Sequence, residues 1–224
     1  MTRERLLMTM YHSMLERLGP SHWWPGDSPF EIIVGAILTQ NTSWTNVERA
    51  IANLKERDAL SPHALRSMPE HDLAQCIRPS GYHNIKAKRL HALMHWLRDF
   101  CEDDITNLAT REPEEARTLL LRVSGIGPET ADAIALYAAG LPTFVVDAYT
   151  HRLCTRHSLL PEDVRYDELR AFFMDVLPPD APLYNEYHAL IVRVGKEWCH
   201  KRAPRCEVCP LSPYLPDHLH GDTA

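Results

Sequence analysis

Three cysteines and one aspartate are the first candidates for chemistry in this chain. Asp147 ends the apolar run Thr143-Phe144-Val145-Val146, which should place its carboxylate at the edge of a packed core. That is a setting in which a carboxylate takes part in reactions, because burial and nearby dipoles tune its charge. Cys199, Cys206 and Cys209 are separated by six and then two residues. In a chain expected to be cytosolic, such a cluster points to a metal or an iron–sulfur centre before a disulfide. The other three cysteines, Cys76, Cys101 and Cys154, are scattered and read as small buried apolar residues.

Positioning Asp147 falls to the stretch of residues 119–157. Gly125-Ile126-Gly127 joins two apolar-periodic segments there. Without β-carbons, the amides of such a bend and of the next helix N-terminus can approach a phosphate oxygen. Pro128 suits the first position of that helix, where a missing N–H is no loss.

Upstream, a helical stripe over residues 4–18 is followed by Trp23-Trp24-Pro25 on a connecting segment. Those tryptophans either anchor a loop on the core or form a stacking wall for a flat ligand. Ser28-Pro29-Phe30-Glu31 reads as a capping box opening a helix over residues 30–38 that is apolar nearly all round. It ends at the polar junction Thr39-Gln40-Asn41-Thr42, to which the next helix, residues 43–55, brings Trp44.

Short helices are expected at residues 62–67 and 70–76, and a long one over residues 85–100 that begins with Lys86, Lys88 and Arg89. That basic run is either a solvated face or a phosphate contact; it opposes its own helix dipole unless an anion is near. A polar linker over residues 101–114 and helices at residues 167–176 and 182–198 complete the pattern. No strand alternation stands out, so the fold class is all-α.

At 224 residues and 45% hydrophobic, the chain can bury a core in one or two domains. No run approaches the roughly 18 apolar residues of a membrane span. The charged N-terminus lacks a signal peptide's apolar core, so a cytoplasmic location is expected. A net charge of −6 argues against a strongly basic nucleic-acid binder without excluding one, because the 24 Lys and Arg are locally dense near residues 86–89 and 196–205.

The sequence from Leu120 to Ala131, with Ser-Gly-Ile-Gly and Thr-Ala, followed by Val145-Val146-Asp147 and Arg152, resembles the helix-hairpin-helix and Gly/Pro/Asp loop of the endonuclease III superfamily of DNA glycosylases. Leu38-Thr39-Gln40-Asn41-Thr42 with Trp44, and Trp23-Trp24-Pro25, are similar to the bacterial 3-methyladenine glycosylase branch. The resemblance implies a six-helix barrel domain at residues 22–134 and a second helical domain from residues 1–21 and 135–224, with double-stranded DNA bound across the cleft between them. It makes Asp147 the catalytic aspartate. Gln40 or Asn41 fills the gap left by an extruded base, and Gly125, Ile126, Gly127, Thr130, Lys86 and Lys88 contact DNA. Trp23, Trp24, Pro25 and Trp44 line the base pocket. Lys196 aligns with a lysine carbamylated in the similar 3-methyladenine enzyme, or is a plain surface lysine.

Breaking an N-glycosidic bond lets positive charge develop on the sugar, and a carboxylate can stabilise it and orient water. Bifunctional members also carry a lysine two positions after Gly-x-Gly, which forms an imine with the sugar. Glu129 occupies that place, so the expectation is a monofunctional glycosylase without lyase activity, and a monomeric protein is expected separately. Electron-rich tryptophans favour a cationic alkylated purine. An oxidised-pyrimidine glycosylase and a non-catalytic iron–sulfur DNA-binding module are the alternatives.

The cysteine trio reproduces the family's [4Fe-4S] spacing, but the fourth ligand position is Leu215. A cluster could keep an open iron or recruit Asp217, His218 or His220. Zinc could take three thiolates and a histidine. The site could also be vestigial.

Overall fold

The computed structural model describes residues 1–216, and these form helices without strands. Asp217, His218 and His220, the substitutes considered for a fourth ligand, lie outside the described residues. No helix among the described residues is long and apolar enough to cross a membrane. The described residues fall into two compact units: residues 24–141, and residues 1–23 with those from 142 onward.

In the unit of residues 24–141, α2 (Pro29–Leu38) runs through the core, with Ile33, Val34, Ile37 and Leu38 fully buried. Ser28 accepts a hydrogen bond from the Glu31 amide at 3.1 Å and starts this helix where the local pattern requires. α3 (Trp44–Lys55), α4 (Pro62–Ser67) and α5 (Glu70–Cys76) follow, and α6 (His83–Cys101) packs on α4, α5 and α2. Leu90, Leu93, Met94 and Leu97 bury the inner face of α6.

The segment expected as a polar linker is structured. Asp104 caps a 3₁₀ turn, Ile105–Thr110, whose Ile105 and Leu108 sit in the core three residues apart, as a three-residue period allows. α7 (Pro113–Leu121) and α8 (Pro128–Ala133) flank the Gly125-Ile126-Gly127 bend. A single π-helical turn, Ile134–Ala138, continues α8 and packs against α2. That packing carries this unit to Leu141, past the 134/135 boundary expected from the sequence.

The other unit joins α1 (Arg3–Leu18), α9 (Ala148–Arg156), α10 (Tyr166–Met174) and α11 (Ala181–Glu197). Phe144 stacks on Phe173 with centroids 4.2 Å apart and planes at 4°, beneath Tyr184 and Tyr187. The buried Tyr187 hydroxyl donates to the Leu7 carbonyl at 2.8 Å and ties α11 to α1. α9 and α11 approach so closely that a β-carbon on Gly195 would lie 2.2 Å from the Tyr149 ring.

Candidate active site

Asp147 is the N-cap of α9, with extended backbone. Its Oδ1 accepts three hydrogen bonds: from the Tyr149 amide at 2.9 Å, the Thr150 amide at 2.8 Å and the Thr150 hydroxyl at 3.0 Å. The second oxygen, Oδ2, faces His188 Nε2 on α11 at 3.6 Å. The carboxylate side chain is 15% exposed and the imidazole 6%. Capping therefore occupies one oxygen and leaves the other turned to the histidine. Burial acts to raise the carboxyl, but the facing His188 ring, with the Thr150 donors, outweighs it and holds Asp147 below its ordinary value.

Motif and spacing do not single out His188, although a signal exists. It shares the core-facing stripe Tyr184, Tyr187, His188 and Ile191 of α11, where an ionisable ring must have a reason to be buried. Lys196, one residue past the tightly packed Gly195, is exposed. Trp23 and Asp147 both belong to this unit.

In the unit of residues 24–141, the hairpin is built around Gly125, whose φ of +86° suits only glycine. Any β-carbon there would lie 2.3 Å from Arg89. Arg89 in turn donates to Gln40 Oε1 at 2.5 Å. The Gln40 amide donates to the Gly125 carbonyl at 3.2 Å and the Thr130 hydroxyl at 3.0 Å. One side chain at the α2–α3 junction thus holds both ends of the bend. Asn41 beside it is exposed with φ of +55°, a region asparagine tolerates. Gly127, with no side chain to offer, heads α8; Gly125 and Gly127 are exposed, while Ile126 and Thr130 are buried.

The structure corrects the expectation that Lys86 meets a phosphate. It is 1% exposed, and its ammonium donates to the Leu38 carbonyl at 2.8 Å and the Ser80 carbonyl at 2.7 Å. Leu38 is the last residue of α2, so the cation satisfies the carbonyl end of that helix instead of opposing the dipole of its own. Burial, with Arg89 nearby, lowers its pKa to about 8. Lys88 is solvent-exposed and 3.9 Å from Glu70.

Trp24 and Trp44 meet edge to face at 5.2 Å, and Trp24 also packs against Tyr137 at 5.2 Å. Both tryptophans pack over Gly35, where a β-carbon would lie 3.5 Å from Trp24 and 3.6 Å from Trp44. Tyr137 is hidden in the sequence because it lies inside an apolar run, within the π-helical turn. Pro25 is exposed.

Cys199, Cys206, Cys209 and Leu215 line one small pocket with Arg156 and Trp198. Arg156 donates to Cys199 Sγ at 3.0 Å, and Arg152 to the Cys199 carbonyl at 2.7 Å. Burial pushes the Cys209 thiol to about 11 and raises Cys206. Among the described residues no group of three His, Cys, Asp or Glu is gathered to hold a metal ion. With Leu215 in the fourth corner, these residues do not fit a four-thiolate cluster.

The profile of the HhH-GPD superfamily of base excision DNA repair proteins matches residues 34–179. MJ1434 of Methanocaldococcus jannaschii, provisionally named a DNA repair glycosylase, is 42% identical over 93% of this chain and 95% of its own. The crystal structure of the Helicobacter pylori 3-methyladenine DNA glycosylase MagIII, bound to 1,N6-ethenoadenine, is 31% identical with a TM-score of 0.74, covering 88% of this chain and 98% of the other. A non-covalent endonuclease III–DNA complex aligns at a TM-score of 0.80 over 96% of both chains, at 22% identity, which shows the shared fold.

Proposed function

Since the chain belongs to the HhH-GPD superfamily of base excision repair proteins and is a DNA N-glycosylase, we propose that it releases alkylated purines, of the 3-methyladenine kind, from double-stranded DNA and leaves the strand intact. The observation that carries this reading is the divided Asp147 carboxylate. Oδ1 is committed to the α9 cap, and Oδ2, ionised under the influence of His188, is available to a sugar becoming cationic. Extrusion of the nucleotide precedes that step and costs a few kcal/mol, less at a lesion.

The exposed hairpin glycines take the phosphate backbone, with Gln40 fixing the bend and Asn41 exposed beside it. Trp24 and Trp44, joined by Tyr137, supply aromatic faces for a cationic base, each contact worth about 0.5–2 kcal/mol. The similarity to MagIII supports a methylated purine as substrate. Glu129, exposed in the first turn of α8, has no amine for an imine, which supports hydrolysis without strand cleavage. The reading includes action as a monomer. No step is routed through the cysteine loop.

Incubation with duplexes bearing methylated purines, oxidised pyrimidines or ethenoadenine, followed by hot alkali, tests the substrate. Abasic sites confined to the methylated-purine duplex are expected. Release of an oxidised pyrimidine, or an adduct trapped by borohydride, would overturn it.

A further inference from the structure

We propose that His188 is the positioning residue of the Asp147 carboxylate, holding Oδ2, the oxygen that the α9 cap does not use, in its ionised and aimed state. This deepens the glycosylase reading of Asp147 and rests on it.

The geometry carries the argument. A carboxylate that caps a helix through Oδ1 is fixed in rotation by its three donors, Tyr149 N, Thr150 N and Thr150 Oγ1. Its Oδ2 then has one direction, and His188 Nε2 stands there at 3.6 Å. That distance is too long for a direct hydrogen bond and is an electrostatic contact when the ring is protonated. The ring cannot drift away, since α11 is pinned beside α9 by the Gly195–Tyr149 contact and to α1 by Tyr187. α9 presents Tyr149 and Thr150 to the carboxyl and α11 presents His188; Arg152, the nearby cation of α9, is directed to the Tyr149 ring at 5.0 Å and the Cys199 carbonyl. His188 is thus the ionisable partner set against Asp147, and it works against the burial that acts to raise the carboxyl.

The test compares the wild-type protein with His188→Leu and His188→Gln. Two quantities are read: the titration midpoint of the Asp147 side-chain carboxyl by ¹³C NMR, and the pH profile of single-turnover base release from a methylated duplex. In His188→Leu the midpoint is expected to rise by about one unit. The acid limb of base release should rise with it, while duplex affinity stays unchanged. Base release at neutral pH should fall about tenfold or more. His188→Gln, which keeps a donor but cannot ionise, should recover the neutral-pH rate without recovering the acid limb.

A midpoint in His188→Leu coinciding with the wild type would overturn the proposal. So would equal rate losses in both variants with an unmoved limb. Should the leucine variant not fold, the glutamine variant decides alone, because an unmoved midpoint there overturns the proposal equally. Failure of the underlying reading is separately visible: Asp147→Asn would then release base at the wild-type rate, while the NMR midpoints would still report on His188.

Discussion

Around Asp147 the polar groups are buried and few, and one carboxylate is held from two sides by the start of α9 and by a ring from α11. Around Gly125 the glycines are exposed, the backbone at Gly125 is left-handed, and the bend is held directly by Gln40 and Arg89. Charge tuning needs exclusion of water, which strengthens every interaction at the carboxylate. Gripping a duplex needs amides that water and phosphate can reach, so the support has to come from behind. One molecule therefore meets two demands with opposite degrees of burial.

Asp147→Asn breaks the first region most severely. The amide keeps an oxygen for the α9 cap but loses the charge, so base release should fall by at least about 10²-fold in single-turnover assays with duplex affinity retained. Base release by this variant at the wild-type rate would mean that Asp147 is only a cap, a duty asparagine performs equally well. Gly125→Ala attacks the second region by forcing a side chain into the left-handed region and against Arg89. The strain alone costs about 1–2 kcal/mol, and duplex affinity measured by fluorescence anisotropy should fall while the Asp147 carboxyl titration is unchanged.

Gly195→Ala tests whether close packing of α9 on α11 sets the first region. Overpacking against Tyr149 should cost about 1–3 kcal/mol in urea unfolding. Gln40→Ala should be milder, weakening binding about tenfold by loosening both ends of the bend while leaving the melting temperature nearly unchanged.

Lys86 gives the smallest effect, and its sign can be worked out. Its folded pKa, about 8, lies below the ordinary lysine value of 10.5, so between these limits the unfolded chain binds more protons. Burying the cation costs stability below about pH 8, and that cost is relieved as pH rises toward 10.5. Urea unfolding of the wild type should therefore gain stability from pH 7.5 to 9.5 relative to Lys86→Met. Parallel profiles would show that Lys86 is not buried as a cation.

The helices are legible in the sequence because their signals are local. Ser28, Ser61, Pro62 and Pro128 mark starts, and the short helices Pro62–Ser67 and Glu70–Cys76 have the bounds that turn residues and apolar spacing indicate. The segment between α6 and α7 reads wrongly as a linker because Ile105 and Leu108 follow a three-residue period that a search for α-helical spacing passes over. Lys86 misleads because a basic run at a helix start reads as surface, whereas the carbonyl it serves is 48 residues away in sequence.

By itself, then, the sequence determined the all-α class, the Gly-x-Gly bend, Asp147 at the edge of a core, and the departure at Leu215. Propensity, capping and apolar periodicity act over a few residues, so such features are written in neighbouring positions. Only the tertiary structure decided that His188 faces Asp147, that Gln40 and Arg89 brace Gly125, and that Lys86 closes α2. Each of those pairs joins residues well over 30 positions apart along the chain, and what brings them together is the packing of helices, which no local pattern encodes.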